Sequence, residues 1–87
     1  MSSIHLVLLR AIAAGDVLKV HRDIEGAKVY KLHPLDGPEH VIAPSTVEYL
    51  HDKGLIDSNK KFPAATFWLT DKGRLLVDKL SRITQRS

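Results

Sequence analysis

Residues 45–77 read STVEYLHDKGLIDSNKKFPAATFWLTDKGRLLV, and the order of elements in this stretch decides the fold. Ser45-Thr46-Val47-Glu48 has the form of a capping box, so a helix is expected over residues 45–53, with Val47 and Leu50 facing inward. Gly54 stops it and Leu55-Ile56 returns the chain to the core. A polar turn over residues 57–62, carrying Lys60 and Lys61, precedes a strand at Thr66–Leu69 with Phe67 and Leu69 on one face. The reading is a hairpin with a basic tip. Thr70 is then the expected N-cap of a last helix, with Asp71 in its first turn, where negative charge is favourable, and Leu76, Leu80 and Ile83 as its inward stripe.

Upstream, Ile4, Val7, Leu8, Ala11 and Ile12 recur at helical spacing before Gly15, which predicts a first helix over residues 3–14. Leu6, Leu9 and Ala13 lie off that stripe. A helix apolar over most of its circumference is central to a core or shared with a second copy, so a homodimer through this helix is the alternative to simple burial. Leu18 and Val20 alternate with Lys19 and His21, and Tyr30 and Leu32 alternate with Lys31 and His33, on either side of Glu25-Gly26: strand, turn, strand. Pro34, Gly37 and Pro38 then break the ladder, and His40–Ile42 is a candidate third strand. The expected architecture is α+β: helix, hairpin, helix, hairpin, helix, with the helices packed on a small antiparallel sheet in one domain spanning residues 1–87.

The run STVEYLHDKGLIDSN followed by FPAATFWLTDKGRLL resembles the second half of bacterial winged-helix domains. In those, a helix ending in K-G-L-I leads to a wing hairpin and then to L-T-x-K-G opening the final helix. Gly54, Leu55, Ile56, Leu69, Thr70 and Gly73 carry the resemblance, which implies a winged-helix-like fold and binding to duplex DNA. The first half departs from it: strand-like sequence with Pro34, Gly37, Pro38 and Pro44 stands where a helix-turn-helix needs its preceding helix. The opening helix LLRAIAAG followed by a hairpin is similar to the YjhX-like family. Its members are described as toxins acting on DNA topoisomerase I, so that resemblance implies a protein target.

Composition narrows the function classes. The 87 residues include 44% hydrophobic and 26% charged, as in ordinary globular chains. Residues 1–70 hold eight Lys/Arg and eight Asp/Glu, whereas residues 71–87 hold five against two, so the whole net charge of +3 falls on the C-terminal segment. No cysteine is present, which excludes disulfides, thiolate metal sites and thiol nucleophiles and suits a cytoplasmic protein. The apolar stretch from Ile4 to Ala14 is far shorter than a membrane span, and no membrane association is expected. Five histidines lack the short spacing of zinc sites, and Ser45, Ser58, Asp36 and Glu39 sit in no catalytic motif. No enzyme activity, metal or cofactor is expected.

Lys60, Lys61, Lys72, Arg74, Lys79 and Arg82 are the candidate phosphate contacts, provided that folding gathers them on one face. Tyr49 and Trp68 are the candidate anchors for a protein partner, Trp68 because it alternates outward from Phe67 and Leu69. The outward positions expected on the mid-chain helix are Ser45, Thr46, Glu48, Tyr49, Asp52 and Lys53. Two carboxylates there oppose ordinary major-groove reading. The sequence therefore points to a small DNA-associated regulator that contacts phosphates, with a protein-binding inhibitor or toxin-like module on the same scaffold as the alternative.

Overall fold

The computed structural model describes residues 1–59 and 64–85, with the side chains of residues 64 and 83–85 excluded. Among the described residues the chain is α+β, with three helices and five strands in one antiparallel sheet. The elements run α1 (Ser3–Ala13), β1 (Val17–Arg22), β2 (Lys28–His33), β3 (His40–Ile42), α2 (Pro44–Asp52), β4 (Ile56–Ser58), β5 (Ala64–Leu69) and α3 (Asp71–Gln85). The strand order is β3-β2-β1-β5-β4, so β5 of the second hairpin pairs with β1 of the first and joins the two hairpins into one sheet.

The register puts the alternation seen in the sequence onto one buried face. Leu18 lies opposite both Leu32 and Phe67, Val20 opposite both Tyr30 and Ala65, and Ile56 opposite Leu69. All of these are buried except Phe67, which is half-buried. The opposite face carries Lys19, Lys31, His21 and Trp68, and it is there that Lys19 stands across from Lys31. Helices α1, α2 and α3 supply Leu8, Leu9, Val47, Leu50 and Val77 to the core. Non-directional burial of apolar area is the dominant favourable term holding the layers together.

Two expectations need correction, for α1 and α2. In α1 the buried residues are Leu8 and Leu9, while Ile4 and Val7 stand more than half exposed. The inward stripe is His5, Leu8, Leu9 and Ile12, an i, i+3, i+4, i+7 set shifted by one position because it includes a histidine. His5 belongs to it through its contact with Tyr49, ring centroids 4.2 Å apart.

Helix α2 starts at Pro44, one residue before the expected capping box, with Ala43 as N-cap and no side-chain cap. Pro44 sits in the first turn, where its fixed φ suits the helix and its missing N–H costs nothing. The Ala43 carbonyl accepts from the Thr46 amide at 3.0 Å. Thr46, expected to point outward, is buried.

On α3 the inward stripe is Gly73, Leu76, Val77 and Leu80. Leu76 and Leu80 face inward as expected, Gly73 and Val77 widen the stripe, and the side chain of Ile83 lies outside the described residues.

Candidate functional site

The residues that carry the winged-helix resemblance meet at a single joint between α2 and α3. Gly54 takes a left-handed backbone (φ 73°), which lets the Leu55 amide reach back to the Leu50 carbonyl at 3.0 Å. The Thr70 amide donates to the Leu55 carbonyl at 3.1 Å, and its hydroxyl donates to the Gly54 carbonyl at 2.6 Å. The same Thr70 oxygen accepts from the Gly73 amide at 3.1 Å, which is the N-cap of α3. Lys72 Nζ adds a bond to the Lys53 carbonyl at 3.0 Å. Gly73 presses so closely on the Leu55 backbone that a Cβ there would overlap the carbonyl oxygen. The joint fixes the direction in which α3 leaves the sheet, and with it the position of every cation on that helix.

Those cations divide. At 100° per residue, Lys72, Lys79 and Arg82 fall within an arc of about 80° on one flank of α3, whereas Arg74 projects from the other side, about 160° from Lys72. All four are exposed. Leu75 projects between Lys72 and Arg82 and is 69% exposed. Lys60 and Lys61, expected at the wing tip, lie outside the described residues. Helix α2 presents Ser45, Glu48, His51, Asp52 and Lys53 to solvent. The strand β3 leads directly into α2 through Ala43, so no helix precedes it as a helix-turn-helix requires.

The two candidate anchors have different surroundings. Tyr49 is half-buried, tilted against the His5 ring, with Lys53 Nζ 5.5 Å from its ring centre. It ties α2 to α1. Trp68 is 44% exposed on the outward face of the sheet, opposite Asp57 in the register. On the same face the loop after β2 folds back: Glu39 accepts from Lys31 Nζ at 3.1 Å and lies 3.5 Å from His33. The hydrogen bond from Lys31, then its charge, holds the Glu39 carboxyl below the usual glutamate range.

Sequence reasoning missed a cavity of about 360 Å³ between α2 and the sheet. Its floor is Val20, Tyr30, Ala65 and Phe67, and Val47 and His51 form the wall on the helix side. The cause is length: nine residues of helix span about 13 Å, against about 20 Å for the six-residue strands beneath, so part of the sheet near the β1–β2 turn is left without a roof. The available signal was the alternation that puts Tyr30 and Phe67 on the inward face, opposite a helix too short to cover both. Tyr30 is only 5% exposed, and burial, followed by the Glu48 charge, pushes its phenol up from the ordinary tyrosine value.

No family model matches the chain, and no curated protein or solved structure is significantly similar to it. No helix among the described residues is long and apolar enough to cross a membrane.

Proposed function

We propose that this chain is a non-catalytic binding protein of winged-helix-like build that docks on duplex DNA through its phosphates. The α2–β4–β5–α3 half supplies the likeness, and the strand β3 with Pro44 stands where a helix-turn-helix would have its first helix. The observation that carries the reading is the gathering of Lys72, Lys79 and Arg82 on one flank of α3, on a helix whose direction the α2–α3 joint fixes. Phosphate contacts supply sequence-independent affinity and set orientation, while base edges are read by Arg, Lys, Asn or Gln in the groove. Glu48 and Asp52, exposed on α2, oppose base reading by that helix, and the cation flank of α3 makes the contact. Fluorescence anisotropy with a labelled duplex at low salt tests this. Saturable binding that Lys79→Glu with Arg82→Glu abolishes is the expected result, and absence of binding by the parent chain at low salt rejects it.

A second reading, inhibition of a protein target such as DNA topoisomerase I, is favoured by one specific feature. Ile4 and Val7 on α1 and Leu75 on α3 expose apolar side chains on two helices that pack against each other. A plasmid-relaxation assay separates the readings: inhibition by stoichiometric amounts of the chain, lost in Val7→Glu, supports the protein target. Undiminished relaxation removes it.

A further inference from the structure

The cavity under α2 has a charged lip as well as an apolar floor. Glu48 and Asp52 stand one helical turn apart on α2, and Lys28 faces them from the start of β2. Two carboxylates against one ammonium leave the lip with a net charge of −1, which calls for one positive charge in a ligand. On the floor, Tyr30 and Phe67 pair at 6.0 Å between ring centres, presenting aromatic surface to whatever enters. Such surface accepts an apolar body and attracts a cation held over it.

The Tyr30 hydroxyl adds an independent pointer. The side chain is more than nine-tenths buried and lines the cavity, yet among the described residues no hydrogen bond reaches its hydroxyl. No sealed side-chain polar atom among the described residues lacks a partner, so this oxygen opens on the cavity, where an entering donor can reach it. A primary ammonium offers three donors, enough for Glu48, Asp52 and the phenol oxygen at once.

We propose that this cavity binds a small organic ammonium ion, its apolar or aromatic body resting on Tyr30 and Phe67 and its charge held between Glu48 and Asp52. A volume of about 360 Å³ lies at the small end of ligand sites, which limits the body to roughly one ring or one branched alkyl group. Anions of the same shape are disfavoured, because they would meet two carboxylates for one lysine. The site is separate from the α3 flank, so its occupancy stands or falls independently of DNA binding.

Phenethylamine and phenylpropionate, similar in shape and opposite in charge, provide the test on the full chain, followed by amide chemical shifts in NMR titration. Phenethylamine is expected to shift Val47, His51 and Phe67 saturably, and phenylpropionate to leave them in place. Glu48→Gln with Asp52→Asn, both exposed side chains whose loss spares the core, should weaken phenethylamine by about tenfold or more. Equal responses to the two compounds, no saturable response to the amine, or undiminished binding by the double variant would each overturn the assignment.

Discussion

Tyr30 couples the interior of this protein to alkaline pH. Its phenol is favoured in the neutral form by burial and then by the Glu48 carboxylate, so the folded-state pKa lies above the unfolded value of about 10. The stabilisation tied to the neutral phenol is therefore complete below that value and is lost as pH rises through the folded pKa. Tyr30→Phe keeps the ring and removes the titration. Since among the described residues the hydroxyl has no partner to strand, the variant should match the parent to within about 1 kcal/mol at neutral pH. In urea denaturation above pH 10 it should lose less stability than the parent. Parallel decline of the two chains would show that the phenol is not the titrating group. His5 gives the complementary lesson about single residues: counted as polar, it displaces the inferred face of α1 by one position. Its ring contact with Tyr49 places it on the inward side of the helix.

At the scale of elements, the sequence carried the order and the alternation. The inward residues of β1, β2 and β5 follow from period two alone, because side chains on a strand must alternate and this sheet buries a single face. Pairing between β1 and β5 was not legible, since it depends on how the two hairpins dock and no local signal encodes it. The start of α2 was misplaced because Ser45 and Glu48 have the right spacing for a capping box, while Pro44, already suited to the first turn, takes precedence. The candidate site divides in the same way. The cations of α3 were visible as a charge count, but the separation of Arg74 from the rest needs the helix face, and the cavity needs the mismatch between helix and strand lengths.

The α2–α3 joint makes Gly73 sensitive to any added side chain. Gly73→Ala places a methyl group against the Leu55 carbonyl, a backbone atom that the Thr70 amide already holds. Relief requires α3 to move away from β4, so the helix gain of alanine is outweighed and a loss of about 1–3 kcal/mol is expected in chemical denaturation. A neutral or stabilising effect would mean that the two helices are less closely seated than described.

For the whole molecule, Glu48 and Asp52 are exposed on α2, while Lys72, Lys79 and Arg82 share one flank of α3 with the exposed Leu75. With carboxylates exposed on α2 and three cations together on α3, a polyanion is favoured on the α3 side. Each phosphate neutralised contributes roughly −0.9 to the slope of log binding constant against log salt, so contacts by Lys72, Lys79 and Arg82 predict a slope of about −3 or steeper. Replacing Lys79 and Arg82 together by alanine should reduce its magnitude by about 2, with similar effect on unrelated duplex sequences, because backbone contacts carry no base information. A slope near zero for the parent chain, or one that the double variant leaves unchanged, would move the contact off α3. A loss confined to one duplex sequence would instead indicate base reading, which the acidic face of α2 argues against.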